Sequence, residues 1–425
     1  MNFAFLPDLS ALTILIILLL LLRKRHPGEK VNLWLLGLSF TLLEAIAHIF
    51  YAPQGTPNII LHVIVMNCYL LTGIVFVWAA GDPKIDNPTK RSRLMYLAWN
   101  TLPLLAMATA YGMHLYRRGS FYPCVIAGIF LSVVTTFVYK RNWIRAVLFV
   151  CGWLAVGYLV HRGFYRQAIY WSLGAVYSVA WFNFRERLPR PSTGRIAILT
   201  GFFIWAAFFF IHPMIVQYRT YADIASHIWN MQKSLITIGM ILVLLEEQVS
   251  NNRWLALHDE LTGLANRRSF EDKLAEAIAR SRKTNRTVAV FMLDLNDFKQ
   301  INDTMGHHTG DCVLCEVSKN LRDKVSGCDS LARLGGDEFT IVASNIENQQ
   351  CVDKLAHAIC MAVEEPIHVD GKTMLVTASL GIALYPNDAE DATRLLRIAD
   401  QRMYTLKRRP VQPKIARGLT ATPSL

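Results

Sequence analysis

Nine apolar segments occupy the first 245 residues of the chain. They lie at about 7–22, 33–51, 59–80, 94–115, 121–139, 143–160, 167–184, 196–217 and 222–245. Each is long enough to cross a bilayer as a helix, and inside a bilayer the backbone must satisfy its own hydrogen bonds. Beyond residue 246 the composition is that of a soluble domain. The pattern predicts an α-helical transmembrane bundle of about nine spans in residues 1–245.

The loops that separate the apolar segments differ in charge. Those expected on one side carry fifteen lysine and arginine residues, whereas those on the other side carry five. Basic loops stay in the cytoplasm, so we expect a multi-pass protein of the inner (cytoplasmic) membrane, with its N-terminus outside and residue 246 in the cytosol. The same loops explain the formal net charge of +12, and no nucleic-acid partner is expected.

Ionisable residues interrupt the apolar segments at a few positions. Glu44 and His48 share one face of the second segment, and His62 opens the third. His212 and His227 lie near the outer ends of the last two segments. Such groups are candidates for function inside a membrane. A bound metal, a haem or a proton-linked sensory ligand would explain them, and so would hydrogen bonds between helices. The pattern does not identify the signal.

Residues 246–258 continue the last apolar segment as a soluble signalling helix. Leu242, Leu245, Val249, Asn252 and Ala256 follow the 3-4-3-4 spacing of a coiled-coil seam. An asparagine on such a seam specifies a two-stranded register. The spacing predicts a homodimer joined by a short parallel coiled coil, and a plain linker helix is the alternative.

The rest of the chain predicts one domain at 259–409, followed by a polar tail at 410–425. Periodicity predicts helices at about 268–282, 309–325, 350–364 and 391–407, and strands at 287–294, 330–334 and 339–344. A hairpin is expected across 366–385, with its turn at Asp370-Gly371. This order favours a mixed sheet covered by helices around one core.

Three carboxylates are expected near one end of this sheet. Gly335 and Gly336 predict a sharp turn, and Asp337 and Glu338 follow it directly. Asp294 ends the buried strand at 287–294. If the two strands are neighbours, these acids can hold one or two Mg²⁺ ions over a triphosphate, because hard cations prefer carboxylate oxygens.

The residues between the two acidic segments suit a nucleotide. Lys299 and the backbone N–H groups near Phe298 can take phosphate oxygens. Asn302 and Asp311 supply the donors and acceptors that the Watson–Crick edge of guanine requires. Lys407, on the last predicted helix, could reach the phosphate tail.

Six segments, in this order, resemble the motifs of the GGDEF family of diguanylate cyclases. They are Asp259–Phe270 (DELTGLANRRSF), Asp294–Asp303 (DLNDFKQIND), Gly306–Asp311 (GHHTGD), Arg333–Phe339 (RLGGDEF), Ser379–Ala383 (SLGIA) and Ala399–Tyr404 (ADQRMY). The resemblance covers about 150 residues, and the membrane half resembles no family beyond generic multi-span sensory modules.

The resemblance implies an α/β domain of the α+β type, similar to class III nucleotide cyclases and polymerase palm domains. It implies that two GTP molecules are condensed to cyclic di-GMP with loss of two pyrophosphates. Asp294 and Asp337 would be metal ligands, assisted by the Leu295 carbonyl, with two Mg²⁺ (or Mn²⁺) ions per active site. Glu338 would be a metal ligand or the base for the 3′-hydroxyl.

The resemblance assigns the substrate contacts in the same way. Asn302 and Asp311 would read guanine, and Lys299 and Lys407 would hold phosphates. Each domain would bind one GTP, so that the active site forms only when two domains face each other.

The sequence departs from the family pattern at three places. Asn296 stands where the family often has a second Asp, and activity is expected to survive. Arg408-Arg409-Pro410 follows Lys407 where a Gly-Arg pair is usual, which leaves the second phosphate contact undefined. The product-inhibition motif Arg-x-x-Asp falls on Ser326–Asp329, with the arginine absent. Without its guanidinium, no tight allosteric product site is expected.

Other functions are compatible with parts of the sequence. A catalytically inactive GGDEF domain could act as a receptor for GTP or cyclic di-GMP, but such domains usually lose the signature acids or glycines. A transporter-like membrane protein with an accessory cyclase domain is a second alternative. A cyclase that makes a different cyclic nucleotide is a third.

Overall fold

The structure is a computed structural model, and it describes residues 6–24, 28–50, 56–80, 90–139, 143–215, 219–325, 327–369 and 371–407. The chain divides into two units, Met1–Gln248 and Val249–Leu425. We call them the helical unit and the sheet unit. One helix, α9, contains the boundary between them.

The described part of the helical unit consists of helices that coincide with the nine apolar segments. They are α1 (Leu6–Arg23), α2 (Glu29–Ile49), α3 (Thr56–Ala79), α4 (Lys90–Gly112), α5 (Arg118–Val138), α6 (Trp143–His161), α7 (Tyr165–Arg187), α8 (Thr193–Ile215) and α9 (Arg219–Leu257).

Among the described residues, five helical segments are long and apolar enough to cross a membrane. They are Glu29–Ile49, Asn58–Ala79, Arg118–Val138, Thr193–Ile215 and Met231–Leu257. Two shorter apolar segments, Leu9–Arg23 and Ala146–His161, accompany them. The expectation of about nine spans is therefore not supported by length and composition. Polar residues inside the helices explain the difference for α4, which contains Asn100 and Thr101, and for α7, which contains Gln167 and Asn183.

The helical unit has an aromatic interior and an apolar exterior. Trp34, Phe76, Tyr177, Phe202 and Trp205 are all fully buried. Large apolar side chains such as Phe137 (82% exposed) nevertheless cover the outer surface. A water-soluble bundle would carry polar residues there, so the surface fits a lipid environment.

The described part of the sheet unit contains the remaining helices and all of the strands. The elements are α10 (Arg267–Thr284), β1 (Thr287–Leu295), α11 (Phe298–Met305), α12 (His307–Lys324), β2 (Ser330–Gly335), β3 (Glu338–Ile346), α13 (Gln349–Val363), β4 (Ile367–Val369), β5 (Lys372–Met374), β6 (Ala378–Tyr385) and α14 (Ala392–Lys407).

The main sheet has the strand order β2-β3-β1-β6, and all three of its pairings are antiparallel. The expected mixed sheet was wrong in this respect, because no helical crossover joins parallel neighbours among these strands. Side chains on β1 alternate between two cores. Phe291 and Leu293 belong to one core, whereas Val290 and Met292 belong to the other, together with residues of α10 and α14. Asp294 therefore follows Met292 onto the α10/α14 face.

Two details of the sheet unit differ from the sequence-based prediction. The hairpin expected across 366–385 is divided: β4 and β5 form a separate two-stranded sheet, and β6 pairs with β1 in the main sheet. The short helix α11 was not predicted at all. It begins after Asp297, whose backbone is left-handed at φ 57°, and eight residues are too few for a clear helical period.

Candidate active site

The hairpin between β2 and β3 turns at two glycines. Gly335 has φ 148° and Gly336 has φ 56°, and L-residues rarely adopt such positive values. Asp337 follows the turn, and Glu338 is the first residue of β3. The glycines therefore allow a sharp reversal that presents two consecutive carboxylates at the tip.

The hairpin acids meet Asp294 as the sequence predicts. Asp294 on β1 is the direct cross-strand partner of Glu338 on β3, so the two side chains share one face of the sheet, with Cβ atoms about 5 Å apart. The backbone N–H of Leu295 donates to the Asp337 carbonyl at 3.3 Å. Three carboxylates thus converge where these two central strands meet.

The carboxylates perturb one another. Burial raises the pKa of Asp294, and the charge of Asp337 adds to this, although a hydrogen bond from Lys407 opposes it. Burial also raises the pKa of Glu338, and the charge of Asp294 contributes. Both shifts mean that the negative form of each group is less stable here than in water. A bound cation would relieve this cost.

Lys407, at the end of α14, supplies one positive charge to the acids. Its Nζ donates to Asp294 Oδ1 at 2.6 Å. This hydrogen bond raises the pKa of the Lys407 ammonium. The ammonium is 40% exposed, so it can also turn toward a ligand in solvent.

The carboxylates alone do not form a complete binding site for a cation. Within the described residues, no three His, Cys, Asp or Glu side chains are grouped tightly enough to hold a metal ion. Mg²⁺ nevertheless prefers hard oxygen donors such as these, and it is usually bound by only one or two carboxylates together with substrate phosphates. The residues present therefore fit a magnesium ion that arrives with its nucleotide.

Asn302 lies against Gly310. A Cβ atom on Gly310 would lie 2.0 Å from Asn302 Oδ1, so the side chain of Asn302 rests directly on the backbone in the first turn of α12. Asp311 is the next residue and is exposed. Any larger residue at Gly310 would therefore displace Asn302.

The start of α11 supplies backbone donors. Gln300 and Ile301 make the first bonds of this helix, both to the Asp297 carbonyl, at 2.9 and 3.2 Å. The N–H groups of Phe298 and Lys299 precede those bonds, as the first donors of a helix do. Phe298 is buried, and the Lys299 side chain is exposed. These features suit a phosphate group at the helix N-terminus.

A cavity of about 320 Å³ opens beside Glu338, between α10, α14 and the sheet. Its lining combines Arg267 and Arg397 with Glu338 and Asp400. Asn302 and Asp311 do not line this cavity, so it is distinct from the predicted guanine contacts.

Comparison with known proteins agrees with this geometry. A family model described as "Diguanylate cyclase, GGDEF domain" matches residues 256–412. Those residues form a GGDEF domain.

The GGDEF domain has characterised relatives. It is 41% identical over 155 residues to the bifunctional diguanylate cyclase/cyclic di-GMP phosphodiesterase MucR of Pseudomonas aeruginosa. The aligned region covers 36% of this chain and 22% of MucR. It is 38% identical over 154 residues to the diguanylate cyclase TpbB of the same species. That aligned region covers 36% of this chain and 35% of TpbB. The chain thus spans about a third or less of the length of these relatives.

A solved structure shows a similar partial match. The crystal structure of a sensory box/GGDEF family protein from Caulobacter crescentus is 38% identical, with a TM-score of 0.34, and the match covers 36% of this chain and 97% of that chain.

Sequence reasoning missed the contact that holds the GGDEF hairpin in place. Arg333 Nε donates to the Gly336 carbonyl at 2.9 Å, and its Nη1 donates to Asp259 Oδ1, also at 2.9 Å. Burial would raise the pKa of Asp259, but hydrogen bonds from Thr262 and the pairing with Arg333 lower it overall. Arg333 and Asp259 both lie in the motifs named above, but they are 74 residues apart. The motifs themselves do not indicate that the two residues touch.

Asn296, which departs from the family pattern, has a structural role in the GGDEF domain. Its Nδ2 donates to Thr377 Oγ1 at 2.9 Å, and its Oδ1 accepts from Ser379 Oγ at 2.8 Å. The amide thus serves as donor and acceptor between β1 and β6, whereas an ionised aspartate could only accept.

Asp329, the retained acid of the degenerate product-site motif, already has partners. It accepts from the backbone N–H of Ser344 at 2.6 Å and pairs with Arg280 of α10. Ser326, which stands in place of the motif arginine, lies outside the described residues, as do Arg408 and Arg409.

The ionisable residues of the helical unit do not form one group. Glu44 lies against His48, with His48 Nδ1 3.1 Å from Glu44 Oε1. His62 instead packs its ring 5.0 Å from that of His114, and His212 stacks on Tyr170 at 4.4 Å. The side chain of His227 lies outside the described part of the chain.

The principal partner of Glu44 was not predicted. Lys233 of α9 donates to Glu44 Oε2 at 2.5 Å, and Tyr69 of α3 donates to Oε1 at 2.8 Å. Interhelical hydrogen bonding, one of the two explanations offered for these residues, therefore describes Glu44.

Proposed function

We propose that the chain is a membrane-bound diguanylate cyclase that condenses two GTP molecules to cyclic di-GMP and two pyrophosphates. The observation that carries the proposal is the pairing of Asp294 with Glu338 across β1 and β3, beside Asp337. Diguanylate cyclase activity is part of the names of both MucR and TpbB, which supports the same reaction here.

The substrate contacts follow from the positions of the predicted residues. Asn302, which lies against Gly310, and the neighbouring Asp311 read the Watson–Crick edge of guanine. The N–H groups at the start of α11 and the Lys299 ammonium take the phosphates. Lys407 exchanges its hydrogen bond with Asp294 for a phosphate oxygen when GTP binds, which holds the tail above the carboxylates.

The chemistry is an in-line displacement at the α-phosphorus of each GTP. The 3′-oxygen of the other GTP forms the new P–O bond, the bond to the β-phosphate oxygen breaks, and pyrophosphate leaves with those electrons. Glu338 accepts the proton of the 3′-hydroxyl as a general base.

Asp294, Asp337, Glu338 and the Leu295 carbonyl would hold two Mg²⁺ (or Mn²⁺) ions. When bound, these ions neutralise phosphate charge and stabilise the charge that develops during phosphoryl transfer.

Each domain holds one GTP, so catalysis requires a homodimer. Leu245 (40% exposed) and Val249 (66% exposed) lie on the predicted seam of α9, and Asn252 and Ala256 are also exposed. Burying this face against a second copy would form the short coiled coil and bring two GGDEF domains together.

The membrane topology follows from loop charge. The helical unit would lie in the inner membrane with its N-terminus outside and respond to a sensory ligand that the sequence does not identify. With the N-terminus outside, the nine crossings that the loop charges indicate take the chain to the cytosol. Trypsin should therefore cleave the GGDEF domain in inverted membrane vesicles and spare it in right-side-out vesicles, whereas cleavage in both would contradict this sidedness.

We also infer that the domain lacks a tight allosteric site for its product. Ser326 replaces the motif arginine, and Asp329 is engaged by Arg280 and Ser344. An Asp337→Ala variant should show no tight cyclic di-GMP binding in calorimetry, and tight binding would contradict the inference.

Activity of the full-length protein in membrane vesicles tests the main proposal. With GTP and Mg²⁺, the wild type should produce cyclic di-GMP, detected by mass spectrometry, and Asp337→Ala should not. Asp353→Ala removes an exposed acid on α13 and serves as the matched control. No product from the wild type, or equal product from Asp337→Ala, would overturn the proposal.

A further inference from the structure

Among the described side chains of α9, three make polar contacts with other helices of the helical unit. Lys233 pairs with Glu44 of α2. Near the unit boundary, Glu247 pairs with Lys30 at 2.8 Å. Glu246 accepts from Ser192 Oγ at 2.5 Å and from the backbone N–H of Thr193 at 2.8 Å, at the beginning of α8. Two side chains of α9 thus hold the first turns of two other helices.

The Lys233–Glu44 pair is the buried member of this set. Both side chains are 3% exposed, whereas Lys30 and Glu247 are each 39% exposed. Tyr69 and His48 occupy the other oxygen of Glu44. A charge pair in an apolar interior adds little net stability compared with apolar side chains, and its best-attested use is to specify one register. The pair therefore specifies the position of α9 along α2.

Another face of α9 lies against α8 through glycine. A Cβ on Gly239 of α9 would lie 2.8 Å from the Gly194 carbonyl of α8, and a Cβ on Gly194 would lie 2.6 Å from the Gly239 carbonyl. The two backbones are in contact at this point, as in small-residue helix interfaces. Ile198 of α8 packs beside Gly239, and Val243 of α9 packs beside Gly194. Aliphatic contacts of this kind are non-directional, whereas the Lys233–Glu44 pair requires one position of α9.

Gln232 is the observation that suggests a second position for α9. It is fully buried, and within the described residues neither its Oε1 nor its Nε2 has a hydrogen-bond partner. A buried amide without partners is costly and needs an explanation. A second arrangement of α9 in which the amide is satisfied would supply one. Gln232 is adjacent to Lys233, so a shift of α9 moves both groups together.

We propose that the Lys233–Glu44 pair is a latch that sets the register of α9 and thereby regulates the GGDEF domain. The helix is continuous from Arg219 to Leu257 and crosses the boundary at Gln248. Separation of Lys233 from Glu44 lets α9 shift or rotate along its glycine contact, and a rigid helix carries that change into residues 249–257. The regulatory part rests on the proposed cyclase function, whereas the latch itself does not.

Hydrogen–deuterium exchange of the full-length protein in nanodiscs tests the latch. Glu44→Gln combined with Lys233→Met removes both charges and leaves neither partner as a buried, unpaired ion. We expect amides of residues 231–248 to exchange at least fivefold faster, with α5 unchanged. Asn67→Leu, which removes the 3.1 Å bond from Asn67 on α3 to Thr109 on α4, is the matched control and should leave α9 unchanged. Unchanged exchange in α9 of the double variant would overturn the latch.

Cyclic di-GMP synthesis by the same samples tests regulation. Relative to the wild type, specific activity per folded protein should change at least threefold in the double variant. The exchanged pair Glu44→Lys with Lys233→Glu should restore it to within twofold, and Asn67→Leu should match the wild type. Faster exchange with unchanged activity would overturn the regulatory role. If even the wild type makes no product, the proposed function fails, and the exchange result still decides the latch.

Discussion

The helical unit and the GGDEF domain contain buried carboxylates in opposite electrostatic settings. Glu44 is matched by Lys233 and receives further hydrogen bonds from its neighbours. Asp294 and Glu338 face each other across two strands, with Asp337 nearby, and the partly exposed Lys407 and Arg267 balance these acids only in part. In the first setting the acid is held by partners that the chain supplies. In the second, the excess negative charge is left for a ligand to neutralise.

The difference shows how burial alone fails to separate structural from functional charges. Glu44 and Asp294 are both buried, yet removing their charges should have different consequences. An acid that is paired with a positive charge holds helices together. An acid without such a pair lowers the free energy of unfolding but should raise the affinity of its site for a cation. The predictions below test this contrast in order of decreasing effect.

Removing the charge of Glu338 should have the largest effect on function. Glu338→Gln keeps the size of the side chain but cannot accept the 3′-hydroxyl proton, so cyclic di-GMP synthesis should fall by about 10²- to 10⁴-fold. Initial rates with GTP and Mg²⁺ measure this loss. Glu347→Gln, at an exposed position directly after β3, should retain the wild-type rate, and an active Glu338→Gln would remove the residue from the catalytic step.

Removing the charge of Glu44 alone should have the largest effect on stability. Glu44→Gln leaves Lys233 buried without its counter-charge, which costs about 3–5 kcal/mol. Denaturant unfolding of the detergent-solubilised protein, followed by the helical signal, gives the change. The Glu44→Gln/Lys233→Met double variant should lose much less, and equal losses in the single and double variants would show that the two charges are not coupled.

The contact between Arg333 and the GGDEF hairpin should have an intermediate effect. Arg333→Ala removes charge-assisted bonds to Asp259 and to the Gly336 carbonyl, which should cost the domain about 1.5–3 kcal/mol. Thermal unfolding of the GGDEF domain within the full-length protein measures this. Arg286→Ala, which breaks an exposed pair with Glu347, should cost less than about 1 kcal/mol. Equal costs would mean that Arg333 does not fix the hairpin.

The smallest effect is a dependence of stability on pH. The folded state raises the pKa of Asp294 above 3.8 and that of Glu338 above 4.5. At pH values between the ordinary and the raised pKa values, the folded state holds more protons than the unfolded state. The free energy of unfolding of the domain therefore decreases as the pH rises through this range. Without divalent ions, Glu338→Gln should therefore melt about 1–3 °C above the wild type at pH 7.

That advantage should shrink as the pH falls toward 4.5, because the raised pKa of Glu338 lets the wild-type carboxyl become neutral as well. Melting temperatures of the two proteins across this range provide the measurement. A gap that widens on acidification would mean that Glu338 is stabilised as an anion by the fold.

Sequence patterns predicted most of the GGDEF domain because its information is local. The buried run that ends at Asp294 and the glycine turn before Asp337 each specify their own geometry, and the motif order supplied the pairing. The short helix α11 was missed because its start depends on the left-handed backbone of Asp297. The division of the 366–385 hairpin was missed because β6 pairs with β1, which no local turn signal encodes.

The helical unit was less predictable because its specific contacts join distant parts of the chain. Apolar segments predicted the helices well, but Glu44 and Lys233 are 189 residues apart. A lysine inside an apolar segment is itself a signal, since such a residue requires a partner. The sequence alone could not say which of several acids and histidines would be that partner.

The bond between Lys407 and Asp294 also bears on the order in which the protein is made. The two residues are 113 positions apart. A ribosome that adds about 5–20 residues per second needs roughly 6–20 s to travel that distance. During this interval β1 and the hairpin have been synthesised, whereas the ammonium that balances their acids has not. The acids are therefore synthesised well before the ammonium that balances Asp294, and this charge balance is complete only when the last helix docks.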